Sequence, residues 1–455
     1  MQIFTRKGRG PLRVHAETGF GTHDTRAVNA GFSGGRDGWS YSLQAGHRST
    51  GGISATNRKA GGSFNPDRDR FHQTSASGGL SYTFARDQEA GLKFFHADGR
   101  SHYDGRRASD HWRDARLSSF SLYSANRLAR FWTSTLRLGQ SADEQSNYAD
   151  GRDDGKLDTE QTQYQWQNDF QLPVGSALLA VERLEEKIDT NPVFGRDERR
   201  IDSVIAGWKA NIAAHRLQFD LRRDRNSQFG GKTTGFAAYG YQFTPAWRAN
   251  VSYGTAFRAP TFNDLYYPPR NGMVGNPDLE PETARNKEIA IHYEAGLHHA
   301  SVTAYQNDVK NLIVWGMSPE NVDAARLRGV TLAYDGALYG LDVRASADFQ
   351  DPRDRGLDKV LLRRSRRHGS LSVGQRRGPF DWNLEWRLSG KRYDDRYRQR
   401  LGGYALVNVS AGYRFAPDWT AFVRANNVFD KKYALAYGYD TEGANFFVGI
   451  RYQPK

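Results

Sequence analysis

The residues of this chain best suited to chemistry are hard oxygen ligands. Asp67-Arg68-Asp69 lies in one polar stretch, and Asp104 and Asp114 lie in the next. If those stretches are neighbouring loops, the four carboxylates could hold Ca²⁺, which takes about six to eight oxygens. They read equally well as solvated loop carboxylates paired with Arg68, Arg70, Arg106 and Arg113, the usual state of exposed charge. Other reactive patterns fail on geometry. Asp153-Asp154 and Asp394-Asp395 are adjacent carboxylates, which on a strand point to opposite faces and cannot share a proton. His298-His299 has the same problem, and the 12 histidines show no ligand spacing. No H-E-x-x-H pair or phosphate-binding loop is present, and no nucleophile elbow is expected. The sequence points to binding without covalent catalysis.

The elements that must position these loops are strands. Ala405, Val407, Val409, Ala411, Tyr413 and Phe415 share one face of an alternating run, opposite Leu406, Asn408, Ser410, Gly412 and Arg414. Trp247, Ala249, Val251, Tyr253, Thr255 and Phe257 repeat the pattern, as do Phe446, Val448, Ile450 and Tyr452. Period-two alternation predicts half-buried strands, in a soluble sandwich or a lipid-facing wall. A phrase occurring three times narrows the choice. Tyr82-Thr83-Phe84, Tyr241-Gln242-Phe243 and Tyr413-Arg414-Phe415 each place two rings on one strand face just before a tight turn. Rings gathered at strand ends beside short turns suit the aromatic girdle of a membrane barrel.

Loop lengths sharpen the expectation. Short links fall near 35–38, 85–88, 127–130, 172–176, 212–215, 244–246, 294–297, 335–338, 376–379 and 416–418. Long polar links fall near 49–73, 98–115, 141–158, 187–199, 225–232, 258–283, 315–325, 350–362, 392–403 and 430–443. Their alternation predicts an all-β, transmembrane antiparallel β-barrel of about 22 strands, with short periplasmic turns and long extracellular loops. Mean hydropathy is -0.75, charged residues are 25% and apolar residues 38%, all compatible with strands that offer lipid only every second side chain. No run approaches the roughly 20 apolar residues of a membrane helix. The chain has 47 glycines, 13% aromatics and no cysteine, which fits passage through an oxidising compartment. Its formal net charge of +13 comes from arginines scattered along polar strand positions. That scatter argues against a nucleic-acid face and leaves lipopolysaccharide phosphates or a solvated lumen as counter-charge.

Several motifs resemble those of TonB-dependent outer-membrane receptors, and among these the cobalamin (vitamin B12) receptors. They are Ser252-Tyr253-Gly254-Thr255-Ala256-Phe257-Arg258-Ala259-Pro260-Thr261-Phe262, Gly275-Asn276-Pro277-Asp278-Leu279-Glu280-Pro281-Glu282, Asn307-Asp308-Val309-Lys310-Asn311-Leu312-Ile313 and Asn426-Asn427-Val428-Phe429-Asp430-Lys431-Lys432-Tyr433. Asn226-Ser227-Gln228-Phe229-Gly230 and Tyr437-Gly438-Tyr439-Asp440-Thr441 carry the narrower likeness to cobalamin receptors. The resemblance implies a monomeric receptor of a Gram-negative outer membrane, taking up cobalamin or a related corrinoid with energy from TonB. A ferric siderophore or haem is the alternative cargo, and an uncoupled porin-like barrel the alternative mode. It also implies Ca²⁺ at Asp67, Asp69, Asp104 and Asp114, with Ile53 where a further Asp would be expected. Tyr103, Tyr266 and Tyr267 are candidate contacts to a corrin ring, or else girdle and loop-core residues. Pro260, Pro268, Pro269, Pro277 and Pro281 stiffen the 252–282 block, either to close over a ligand or to cap the rim.

The same resemblance divides the chain. Gln2-Ile3-Phe4-Thr5-Arg6-Lys7-Gly8 is similar to the last strand of the plug that fills such barrels. Residues 1–10 are therefore expected to be a remnant of that strand and its linker, and 11–455 the barrel. The opening residues hold no apolar targeting segment, so Met1 is expected to be an internal methionine, a fragment boundary or the start of a truncated product, the plug and TonB contact lying in a longer parent in the first two cases. The last strand is expected to present Tyr452 as its terminal aromatic.

Overall fold

The computed structural model describes residues 7–105, 109–270, 272–394 and 399–454. Among them, twenty-two antiparallel strands form one closed barrel. The first strand, Arg13–Gly21, pairs with the second, Thr25–Arg36, and on its other edge with the last, Asn445–Tyr452, from Ala16↔Tyr452 to Gly21↔Phe447. Closure removes every free sheet edge, so each backbone amide in the wall has a ladder partner where no water can supply one. The even strand number places both ends of the barrel wall on the short-turn side.

That side carries tight turns. Asp37-Gly38 and Tyr339-Gly340 have positive φ at both residues (52° and 84°; 52° and 77°), the conformation that matches hairpin twist. The predicted ring phrases sit here. Trp39 lies 4.6 Å from Tyr82, Phe380 4.6 Å from Tyr413 and Trp419 4.9 Å from Tyr452, centroid to centroid. Tyr241 packs edge-on against Phe243 at 5.1 Å. Above them the outward face is a continuous apolar band, with Val28, Leu80, Leu136, Val181, Val251, Ile289, Val302, Val330 and Ile450 all exposed. The inward face is polar: Asp348, for instance, accepts from Thr331 Oγ1 at 2.6 Å.

The opposite rim departs from the predicted loop lengths. The stretch 141–158 is no loop: Trp132–Ala149 and Arg152–Gln171 are strands joined by Asp150-Gly151, a turn with φ of 48° and 78°. Likewise strands run to Tyr103 and restart at His111, and the 315–325 link shrinks to residues 316–318. Strands that project beyond lipid are wetted on both faces. Their side chains lose the apolar alternation while the backbone ladder continues, so they read as loops. Gly31-Phe32-Ser33-Gly34-Gly35 spells G-x-S-x-G, but it lies wholly within the second strand and forms no strand-to-helix elbow.

Candidate functional site

The site is built where three loops of the long-loop rim meet. Asp67, Asp69 and Asp104 each present a carboxylate oxygen, and these atoms lie within 4.8 Å of one another. The loop 51–70 folds back on itself to achieve this. Asp69 N–H donates to Ile53 O at 2.9 Å, and Ala55 N–H donates to Asp69 Oδ2 at 2.7 Å. Asp104, at the end of the strand Gln88–Tyr103, accepts the Thr56 N–H at 3.0 Å and the Thr56 hydroxyl through the same Oδ2. Its other oxygen, Oδ1, is buried without a hydrogen-bond partner among the described residues.

The electrostatics are one-sided. Burial, followed by the neighbouring Asp104 and Asp67, pushes Asp69 up to about 6, against the opposing hydrogen bond from Ala55. Burial and then Asp104 also raise Asp67. Clustered carboxylates resist ionising together unless positive charge joins them. Among the described residues none of the three has an arginine or lysine within ion-pair distance. Arg68 points to Asp24 at 3.6 Å, and Arg113 donates to Asn147 at 2.9 Å; Arg106 lies outside the described residues. A buried oxygen without a donor, beside two further carboxylates of raised proton affinity, is a donor set that fits a hard cation.

Asp114 is not part of this group. It stands opposite Arg100 in the ladder between Gln88–Tyr103 and His111–Ala129, on the outward face. There it accepts from Arg100 Nε at 2.6 Å and Nη2 at 2.9 Å. The strand extends past the point where the sequence suggested a loop, and its register holds Asp114 beside Arg100, four residues short of Asp104 and so about 13 Å away along the strand. Ile53 contributes its carbonyl to the loop fold and brings no side-chain oxygen.

A third segment locks the same loop. Thr56, only 1% exposed, bridges to Tyr439. Asn57 N–H donates to Gly438 O at 2.9 Å, Asp440 N–H donates to Ala55 O at 2.8 Å, and Asn57 Nδ2 donates to Asp440 Oδ1 at 2.7 Å. Thr56 was invisible as a site residue in the sequence, since a lone Thr in a Gly/Ser stretch carries no signal. Asp440 stands in the Tyr437–Thr441 phrase and carries no ligand signal of its own.

The candidate aromatics fall in two places. Tyr266 and Tyr267 belong to the loop 259–281, whose short helix Phe262–Tyr266 starts with a reciprocal cap between Thr261 and Asp264. Tyr267 meets Phe194 and Trp315 edge-on at 6.4 and 6.2 Å, and Tyr266 accepts from Gln228 Nε2 at 2.6 Å. Both pack against Ile188, Phe194 and Phe262, a small apolar core inside the rim. Asp264 also accepts from Trp315 Nε1 at 2.7 Å, and Arg199 Nη1 donates to Pro260 O at 2.9 Å. Tyr103 lies beside Asp104, stacked on His111 at 5.6 Å with the Arg113 guanidinium 5.8 Å over its ring. The two places approach each other through Arg270, which donates to Asp154 O at 2.9 Å and belongs to the same loop as Tyr266.

Comparison with known proteins agrees with this architecture. A family model described as TonB dependent receptor-like, beta-barrel, matches residues 14–428. The vitamin B12 transporter BtuB of Photobacterium profundum is 29% identical over 86% of this chain and 66% of its own length. That of Vibrio vulnificus is 31% identical over 55% of this chain and 42% of its own. The chain thus spans under two thirds of the length of these relatives. Among solved structures, the siderophore receptor PirA from Acinetobacter baumannii superposes with a TM-score of 0.84 at 16% identity, covering 99% of this chain and 81% of that one. A mutant of the ferric enterobactin receptor PfeA from Pseudomonas aeruginosa gives 0.81 at 16%, with 99% and 81% covered. At such identity these two report the fold, which is characteristic of Gram-negative outer membranes. By its wall, its strand count and its sequence, this chain belongs to the TonB-dependent receptor β-barrel family.

Proposed function

We propose that this chain is the barrel of an outer-membrane receptor that takes up cobalamin or a related corrinoid, by binding and gated passage without covalent chemistry. The observation that carries the cargo is the 29% identity, over 86% of the chain, to a protein described as a vitamin B12 transporter. The clamp around Thr56 supports it, because it joins three rim loops into one surface over the barrel mouth. TonB would supply the energy that admits the ligand.

Asp67, Asp69 and Asp104 would hold Ca²⁺. The ion would supply the positive charge that lets all three carboxylates ionise together, fixing the loop 51–70 against the strand end at Tyr103. Ordering the loops beforehand lowers the entropy lost when a rigid ligand docks. Tyr103 would contribute its ring to the ligand surface beside that clamp. Tyr266 and Tyr267 act chiefly by holding the 259–281 loop in position, their edges contributing to the wall of the ligand surface.

The test is equilibrium binding of radiolabelled cyanocobalamin to the barrel joined to its plug, with calcium and with a chelator. Saturable binding that weakens with the chelator supports both assignments. Binding indifferent to the chelator removes calcium alone. No cobalamin binding, with a ferric siderophore or haem retained instead, overturns the cargo.

A further inference from the structure

Below the loop clamp, the lumenal wall carries a line of carboxamides that the clamp does not use. Along the strand Arg152–Gln171, Tyr164 and Trp166 are exposed on the lipid side. Alternation therefore puts Gln161, Gln163, Gln165 and Gln167 on the lumenal side. From Gln161 to Gln167 the line descends about 20 Å toward the short-turn rim.

Neighbouring charges orient these amides. Gln161 Nε2 donates to Glu186 Oε1 at 3.0 Å, Gln163 Nε2 to Glu182 Oε2 at 2.7 Å and Gln167 Nε2 to Asp169 Oδ2 at 2.8 Å. An ionised carboxylate only accepts, so each amide must meet it nitrogen first. The carbonyl oxygens of Gln161, Gln163 and Gln167 are left without a partner among the described residues. Gln165 is turned the other way, its Oε1 accepting from Arg137 Nη1 at 2.8 Å, which leaves its amide nitrogen to donate. Glu186 and Glu182 are themselves held by Arg199 and Arg222. Their charge is thus balanced, and what the line offers a solute is neutral amide dipoles.

Beside the line the wall is low. Gln161 and Gln163 are register partners of Ser141 and Gly139, which pair in turn with Ser119 and Ser121. These small residues make a shallow floor two strands wide. A Cβ at Gly139 would meet nothing closer than 3.9 Å, so wall packing does not require the glycine. The strand that carries Ser119 and Ser121 starts at His111, the register partner of Tyr103. The floor thus runs down from the residue next to Asp104.

We propose that this face is a binding track for carboxamide groups, along which an amide-rimmed solute passes down the lumen. A primary amide both donates and accepts, matching the carbonyls at 161, 163 and 167 and the nitrogen at 165. Several weak, equivalent contacts let a solute exchange one for the next without being trapped. A corrinoid carries amide side chains around its ring, so the inference deepens the cargo reading and rests on it.

The test is single-channel recording of this chain, refolded and inserted in a planar bilayer, in chelator so that no cation loads the mouth. Cyanocobalamin is the probe, and a polyethylene glycol of the same hydrodynamic radius the comparison. Current blocks about tenfold longer for cyanocobalamin than for the polymer are expected. The combined Gln161→Met and Gln163→Met changes should shorten them about tenfold, and so should Gly139→Tyr, which fills the floor. Ser370, register partner of Ser346 on the inward face of Asp348, lies half-way round the barrel; Ser370→Tyr should leave the blocks unchanged. Blocks no longer than the polymer's, or unaltered in the glutamine and glycine variants, overturn the inference. Equal shortening by Ser370→Tyr also overturns it, reducing the effect to lumen width. Heat-modified gel mobility checks folding; where one variant misfolds the other decides, and where both do the two probes on the unaltered chain decide. The cargo reading fails separately, when the receptor joined to its plug binds no cyanocobalamin.

Discussion

Thr56 gives both of its donors to one oxygen of Asp104, 48 residues further along the chain. The backbone N–H and the hydroxyl together occupy Oδ2 and leave Oδ1 directed at nothing else in the described structure. A single residue thereby sets the orientation of a carboxylate contributed by another loop, and ties that carboxylate to Tyr439 and Gly438 of a third.

Replacing Thr56 by Val keeps the volume and removes the hydroxyl donor. A buried carboxylate oxygen then loses half its support, at a cost of about 1–3 kcal/mol. Hydrogen exchange at the Asn57 and Asp440 amides should accelerate, while amides of the barrel wall stay protected. Unchanged exchange at both would show that the clamp does not depend on this contact.

Asp69→Asn and Asp114→Asn should separate the two sets of acids. Asp69 belongs to the trio, so its change should weaken calcium binding by about tenfold or more, read by calorimetry. Asp114 is held by Arg100 on the outward face, and its change should leave calcium affinity as it was. Equal losses in the two variants would mean that the trio is not the cation site.

The raised proton affinity of Asp69 gives the clamp a pH dependence with a definite sign. Its folded value of about 6 lies above the usual carboxylate range, so the docked loop is favoured with Asp69 protonated. Without a cation, that contribution is complete below about pH 4 and is lost as pH rises through about 6. With calcium the order inverts, because ionised carboxylates bind the ion and protons compete with it. Proteolysis within 51–70 should therefore increase from about pH 5 to 7 in chelator and fall over the same range in calcium. A profile independent of calcium would refute the coupling.

Asp264 anchors the 259–281 loop by capping its helix, accepting from Trp315 and approaching Arg258 at 3.5 Å. Asp264→Ala strands the Trp315 N–H and the cap together, a local loss of about 3 kcal/mol. Gly275→Ala attacks the same loop differently, since a Cβ there would stand 2.6 Å from the Tyr267 nitrogen. Both variants should be cleaved at 259–281 under limited proteolysis while the barrel keeps its heat-modified gel mobility. Resistance equal to the parent's would show the loop to be held by its prolines alone.

Much of the wall could be read from residue order because its constraints are local. Alternation at Trp247–Phe257 and Ala405–Phe415, with a ring phrase before each tight turn, specified strand faces and the girdle end. Where reading failed, lipid had stopped acting. Between 141 and 158 both strand faces meet water, so hydropathy carried no period, although the Asp150-Gly151 dipeptide was a legible hairpin sign. Asp67 and Asp69 were legible as acids two apart, and Asp104 as their companion only by resemblance. Asp114 matched the same pattern, and strand register set it beside Arg100, four residues below Asp104.

By itself, the sequence determined a closed lipid-facing barrel, since every second residue must satisfy the bilayer and every backbone amide a neighbouring strand. Only the tertiary structure decided which acids meet and that Thr56 is their pivot. Those contacts join segments far apart in sequence across rim loops, where no periodic solvent boundary writes the partner's identity into the local residue pattern.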